Sequence, residues 1–336
     1  MDTLLEDMFA RLLARSCSTT FVRAAEQDPD DKLLALVWDE IGESGLPNAL
    51  VAEQDEGFGL SLAQILPLVL LMGAHAFPLP LAETMVARAL LRRAGVEPPL
   101  APIILATALS REDQATIQTA ELPLARTAGY MLVARGETFD LVELSHSVLS
   151  SSRNQFSLSA HVIAGAEQIR DSIPSGTMAL RETIAFLHAA KLAGAMQFVL
   201  QMTIDYAQTR SQFGRPIGKF QAIQQQVSVM AEYVAAARMA VGLAARTGGL
   251  LPDPLAAGVA KECASSAALI VARTAHSVHG AIGISREHDL QLYTRRMAEW
   301  RAAEGAESYW ATQVGREFFA SNAGRTADFV RARLSV

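Results

Sequence analysis

The sequence predicts a mostly α-helical protein with a small β domain: an N-terminal helical domain, a reduced middle β domain and a C-terminal four-helix bundle. Three observations carry this. Alanine and leucine dominate and aromatic residues make up only 6% of the 336-residue chain, a balance that favours helix. β-Branched residues are sparse before the middle of the chain, and from about residue 100 to 172 short alternating runs replace the helical pattern. Beyond about residue 176 apolar positions recur at helical spacing over long stretches. A chain of this length exceeds one simple core, and the boundaries are placed at 1–100, 101–172 and 173–336.

The N-terminal part reads as helix throughout. Lys32–Leu46 has apolar residues at helical spacing and stops at Gly45. Ser61–Phe77 is apolar on nearly all sides, with Pro67 near its start, as in a buried helix. Leu81–Gly95 begins after Pro80 and ends on Arg92, Arg93 and Gly95, the expected helix punctuation. In the middle part Gly129–Leu144 reads as two strands around an Arg-Gly-Glu turn, and Phe156–Gly165 alternates as a strand does. The C-terminal part reads as four helices. The first runs from Thr177 to Arg210, roughly 50 Å long. The second starts near Phe220, carries the stripe Ile223, Val227, Met230, Val234, Ala237 and Val241, and ends at Gly248-Gly249. The third spans Pro254 to Gly280 and the fourth Glu287 to Phe319. Short links between long helices make a four-helix bundle.

A net charge of −6 lacks the concentrated basic surface that nucleic acid requires. Cys17 and Cys263 lie far apart in sequence and read as two thiols in a reducing cytosol. No metal-ligand spacing occurs. The acidic start, MDTLLEDMF, has no basic n-region or apolar h-region, so the expected location is cytoplasmic. The most apolar stretch, Leu60–Met72, is too short to span a bilayer.

Three strings carry a resemblance. Tyr206–Ile223, YAQTRSQFGRPIGKFQAI, resembles the acyl-CoA dehydrogenase signature Tyr-x(3)-Arg-x-x-Phe-Gly-x-x-Ile followed by Phe-Gln. An arginine at a helix end is free to pair with a pyrophosphate; Phe213 supplies an aromatic face, Gly214 turns the chain and Pro216 stops the helix. The resemblance implies that Arg210 and Phe213 reach the FAD of a neighbouring chain. Taken singly, they read as a solvated arginine and a staple phenylalanine at a helix hairpin. Ala275–Met297, AHSVHGAIGISREHDLQLYTRRM, is similar to the family's Gln-x-His-Gly-Gly-x-Gly loop with its Glu-His-Asp-Leu continuation. There Gly280 and Gly283 admit a close backbone approach to the cofactor, and His279 is either a donor to a phosphate or backbone group or a structural histidine. Two positions depart from the family: its Gln is Ser277, too short for the same hydrogen bond to the FAD, and its second Gly is Ala281. Ala303–Trp310, AEGAESYW, matches the place where one branch of the family carries its base in Tyr-Glu-Gly-Thr, and Glu304 stands 21 residues beyond Gly283 without a gap. The α-proton of a thioester is weakly acidic, so a positioned carboxylate takes it while the flavin accepts hydride from the β-carbon. Glu299 and Glu307 lie nearby, which keeps open an ordinary surface role for Glu304. The base position of another branch falls near Ile184, with Glu182 on a different helix face.

Trp38–Gln64 and Phe77–Gly95 extend the likeness over most of the chain. The middle part differs: the Thr-Glu-Pro-x-x-Gly-Ser segment and the Trp-Ser/Thr pair of the family are missing, and no tryptophan lies between Trp38 and Trp300. Short members of this kind occur as one of two unlike subunits in steroid side-chain breakdown. The resemblance thus implies FAD-dependent conversion of an acyl-CoA to a trans-2-enoyl-CoA, a homo- or hetero-tetramer with another acyl-CoA dehydrogenase-like subunit, and electron-transferring flavoprotein as acceptor. Two rival readings stand beside it: a non-catalytic subunit that completes a partner's FAD site, and an oxidase-like enzyme that passes electrons to oxygen.

Overall fold

The computed structural model describes residues 2–29, 32–109, 116–151, 154, 156–176, 178–247, 249–321 and 323–334. The chain divides into two compact units. The first comprises Met1–Pro67, Phe77–Leu187 and Gly248–Pro252; the second comprises Leu68–Ala76, His188–Thr247 and Asp253–Val336.

The first unit begins with α1 (Asp2–Ser16), α2 (Thr19–Gln27) and α3 (Lys32–Glu43). It continues through the start of α4 (Leu62–Ala74) and α5 (Leu81–Arg93). Ser18 caps α2 by accepting from the Phe21 amide at 3.2 Å, the usual hydroxyl cap. The helices bury Phe9, Leu13, Ile41 and Leu46. Two buried polar side chains find backbone or side-chain acceptors: the Trp38 indole donates to the Leu100 carbonyl at 2.8 Å, and Arg88 donates to Asn48 Oδ1 at 2.7 Å and to the Pro99 carbonyl at 2.6 Å.

Seven strands follow: β1 (Ile103–Thr107), β2 (Thr116–Leu122), β3 (Tyr130–Arg135), β4 (Thr138–Glu143), β5 (Val148–Ser151), β6 (Ala160–Gly165) and β7 (Ile169–Pro174). They form a four-stranded sheet in the order β1-β3-β4-β7 and a three-stranded sheet in the order β2-β6-β5. Ile104, Met131, Val133 and Val142 from the first sheet share one core with Ile117, Ala160 and Val162 from the second, so the sheets pack face to face. β3 and β4 are the strand pair expected around the Arg-Gly-Glu turn, and Gly136 takes φ 61 there. The alternating segment expected as a strand from Phe156 enters the ladder only at Ala160. Four further strands carry too little alternation to be singled out. β2, for instance, slips register between Gln118 and Glu121, which breaks the two-residue period.

The second unit contains most of α6 (Leu180–Thr209), the short strands β8 (Ser211–Gln212) and β9 (Arg215–Pro216), and α7 (Gln221–Ala244). It ends with α8 (Pro254–His279), α9 (Leu290–Ala302), α10 (Glu307–Ala320) and α11 (Thr326–Leu334). Thr177 and Gly248, the expected start of α6 and end of α7, lie outside the described residues. The predicted stripe of α7 is the buried one: Met230, Val234, Ala237 and Val241 face inward, with Ile223 and Val227 half-buried. α8 packs against α7, α9 and α10. The later part of α4 crosses α6 backbone to backbone. A Cβ on Gly73 would lie 2.0 Å from the Lys191 carbonyl oxygen, and one on Gly194 would lie 1.9 Å from that of Leu70; only glycine permits this approach. The fourth predicted helix, Glu287–Phe319, is in fact two. α9 stops at Ala302, and Glu304 and Gly305 take φ 53 and 103 before α10 begins, a left-handed break that no i→i+4 ladder crosses.

Among the described residues three helical segments are long and apolar enough, by length and composition alone, to cross a membrane: α6, α7 and Pro254–Ile284. This differs from the sequence reading, which singled out Leu60–Met72. The apolar window of α6 is 89% buried within the fold, so its hydrophobicity is accounted for by packing.

Candidate functional site

The signature string folds as a tight hairpin at the end of α6. The Arg210 amide still bonds the Tyr206 carbonyl, and Ile217 N–H closes the loop on the Arg210 carbonyl, both at 2.8 Å. β8 and β9 pair Ser211 with Pro216 and Gln212 with Arg215, which leaves Phe213-Gly214 as a two-residue turn. Both have positive φ, 54 and 79, as a type I′ hairpin requires. That backbone costs a phenylalanine about 1–2 kcal/mol, yet its ring stands 90% exposed. A bulky residue strained and presented to solvent is the pattern of a ligand contact. Phe220 stands edge-on to Phe213, with ring centroids 6.1 Å apart, and carries the Arg215 guanidinium over its face at 4.2 Å.

The end of α8 forms the other wall. Arg210, Phe213, Phe220, His279 and Gly280 line one cavity of about 580 Å³. His279 is buried, and its ring stacks on Tyr206 with centroids 4.4 Å apart. The Tyr206 hydroxyl donates to the His279 carbonyl at 3.3 Å. His279 Nδ1 lies 2.8 Å from the Ala275 carbonyl, so the proton of the neutral ring sits on Nδ1. Burial first, then the nearby His288 and His276, push its pKa down, against the Ala275 hydrogen bond that raises it. The neutral ring therefore keeps its one N–H for the helix. Nε2, buried and without a partner, is an acceptor. The donor role expected of His279 is taken up inside α8, and its other ring nitrogen is enclosed.

The two glycines of the loop act differently. Gly280 is exposed, takes φ 63 and has no atom near a would-be Cβ, so its need is conformational. Gly283 is buried, and a Cβ there would lie 3.0 Å from both His279 Cβ and Leu290 Cδ2; its need is room for packing. Ser277 is exposed and is not among the cavity-lining residues, whereas Ala281 is. Tyr206 and Phe220 also belong to the wall; in a sequence an aromatic at helical spacing reads first as core, so neither stands out as a site residue.

Glu304 lies apart from this cavity, half-buried in the turn between α9 and α10. The turn is braced three ways. Arg301 pairs with Glu307 across it, and this hydrogen bond holds the Glu307 carboxyl below its usual range. The Trp310 indole donates to the Gly305 carbonyl at 3.1 Å. Lys261 Nζ, fully buried on α8, donates to the Trp300 carbonyl and, at 2.9 Å, to that of Arg301. Burial pushes Lys261 down to about 7, and the charge of Glu304 is the first influence opposing it. Ile184 is buried and Glu182 half-buried on α6. Among the described residues no group of three or more His, Cys, Asp or Glu is arranged to hold a metal ion.

Residues 182–319 match the acyl-CoA dehydrogenase C-terminal domain. The chain is 30% identical to acyl-CoA dehydrogenase IpdE2 of Mycolicibacterium smegmatis, over 87% of this chain and 91% of that protein. Its fold is similar to a chain of the ChsE4-ChsE5 complex from Mycobacterium tuberculosis, with a TM-score of 0.82 at 19% identity, over 96% and 98% of the two chains. It is also similar to the Tcur3481-Tcur3483 steroid ACAD, with a TM-score of 0.80 at 22% identity, over 95% and 98%. The chain belongs to the acyl-CoA dehydrogenase family. FAD is the usual cofactor of this family. The cavity suits part of it: a guanidinium for phosphate and aromatic faces for a ring.

Proposed function

We propose that this chain takes part in FAD-dependent α,β-dehydrogenation of an acyl-CoA thioester to the trans-2-enoyl-CoA, as one subunit of an oligomer, with Glu304 as the base. The observation that carries the reading is the braced left-handed turn at 304–305, where a half-buried carboxylate interrupts a helix that would otherwise run on. Strain of this kind persists when surrounding contacts over-determine it. FAD supplies the acceptor for the β-hydride when bound. This chain's part is to hold the Glu304 carboxylate ready for the α-proton and, through Arg210, Phe213, His279 and Gly280, to grip a dinucleotide end. Ser277 and Gly283 shape the loop behind them. Glu304 lies outside the cavity lined by those residues, in keeping with a cofactor shared between chains. The similarity to a chain of the ChsE4-ChsE5 complex supports a homo- or hetero-tetramer with another acyl-CoA dehydrogenase-like subunit, and the steroid ACAD neighbour supports a bulky acyl group. The family supports electron-transferring flavoprotein as acceptor, a cytoplasmic setting and folding domains at 1–100, 101–172 and 173–336.

A second reading, a non-catalytic subunit that completes the FAD site of a partner, is favoured by Ser277 and Ala281 in place of the family's Gln and Gly. Glu304→Gln discriminates. The chain and any acyl-CoA dehydrogenase-like partner encoded beside it are assayed with saturated acyl-CoAs from butyryl to a ring-bearing propionyl thioester and a ferricenium acceptor. Loss of at least about a hundredfold in kcat, the scale of a general base, supports the first reading; kcat within threefold refutes it and leaves the second.

A further inference from the structure

We propose that Lys261 positions Glu304: from α8 it holds the last carbonyls of α9 and so fixes the turn that carries the carboxylate. The inference rests on Glu304 being the base. An α-helix leaves its last four carbonyls without intrahelical partners. In α9 these belong to Glu299, Trp300, Arg301 and Ala302. The Glu299 carbonyl accepts from Ala303 N–H at 3.0 Å, and that of Ala302 from Gly305 N–H at 3.3 Å. The two in between are taken by one side chain from another helix, Lys261 Nζ. Where most helices end in a local glycine motif or in water, this one is tied to a buried lysine.

Burying a lysine to satisfy two carbonyls is costly, and a solvent-exposed helix end needs no such group. The placement makes sense if the end must not move. Lys261 is fully buried; Arg301, Glu304 and Glu307 act on it from the α9–α10 turn, and Lys261 in turn acts on His188 of α6, together with Lys191. Of the charges acting on Lys261, Glu304 is the foremost favourable one. Lys261 thus anchors the backbone three and four residues before Glu304 and faces its charge. Trp310 and the Arg301–Glu307 pair hold the far side of the turn, so Glu304 leaves the helix between two fixed points.

The test is hydrogen–deuterium exchange by mass spectrometry on the full chain, with its partner if one co-purifies, for wild type, Lys261→Met and Glu304→Gln. Lys261→Met keeps the length and removes the donors. Peptides covering 299–305 should exchange about tenfold faster or more while those in α6 and α7 stay unchanged. In the assay above kcat should fall about tenfold with KM within threefold, as a displaced base requires. Unchanged exchange at 299–305, faster exchange throughout the unit, or unchanged kcat each overturns the inference. If Lys261→Met does not fold, Lys261→Gln, which is shorter and uncharged, is read by the same criteria. Glu304→Gln leaves the carbonyl contacts intact and should not raise exchange at 299–305. Its kcat alone reports on the base, so failure of that reading is seen separately from failure of this one.

Discussion

Replacing Phe213 by asparagine separates folding from function at the hairpin. Phe213 sits at φ 54 ahead of Gly214 at φ 79, the conformation for which Asn-Gly is the preferred pair. Relief of the left-handed phenylalanine is worth about 1–2 kcal/mol. Against it stands the edge-to-face contact with Phe220, 6.1 Å between centroids, worth about 0.5–1.5 kcal/mol and at the low end because the Phe213 ring is 90% exposed. The balance is a gain of roughly 0.5–1 kcal/mol, or a rise of about 1–4 °C in Tm, read by scanning fluorimetry on the flavin-free protein. Flavin retention should move the other way. Losing an aromatic face at the cavity mouth should raise the Kd for FAD about tenfold, near 1.4 kcal/mol, read from flavin absorbance after gel filtration. A variant less stable by more than about 1 kcal/mol would show that the ring is a structural staple. A stabilised variant with undiminished flavin would show that the strain serves something other than the cofactor.

Three further outcomes follow from the same geometry. Lys261 is pushed down to about 7 in the fold and returns to about 10.5 on unfolding. The unfolded chain thus holds the extra proton between those values, and stability should rise with pH from about 7 to 10.5, by about 2–3 kcal/mol between pH 7.5 and 9.5. Urea unfolding of wild type against Lys261→Met should show that slope lost in the variant, and equal slopes would contradict it. Gly305→Ala must place a Cβ 2.6 Å from Tyr309 Cδ1 at φ 103, and should lose about 1–3 kcal/mol and lower kcat; a Tm within a degree of wild type would contradict it. Asp253 caps α8 by accepting from Ala256 N–H at 2.9 Å, so Asp253→Ala should cost about 1 kcal/mol with flavin content unchanged.

Much of the architecture was legible from local chemistry. Helix stops at Gly45 and Gly95, the Pro254 start and the six-residue stripe of α7 follow from rules a chain obeys within a few turns. The turn at Gly136 was equally local. Three things were not. The break at Ala303 lies within a periodic, alanine-rich stretch, and Glu304-Gly305 has no signal stronger than a single glycine. Val148 and Ile169, which open their strands, pair with partners 15 and 27 residues away along the chain, and their packing is decided by those partners. The acceptor at His279 depends on which carbonyl lies within reach of Nδ1, and no motif records that.

The sequence by itself determined the family and the order of helical and β segments, and it offered Arg210, Phe213, His279, Gly280 and Glu304 as candidates, because each sits in a string whose spacing is local. Only the tertiary structure decided that Arg210, Phe213 and His279 share a cavity that Glu304 does not. Only it showed that Gly283 makes room for its neighbours, and that Lys261, 43 residues before Glu304, closes the helix end beside it. The physical reason is the reach of each interaction. Turn, cap and periodicity are settled within one or two turns of backbone, whereas the destination of a buried ammonium or an orphaned ring nitrogen is set by whichever helix packs against it.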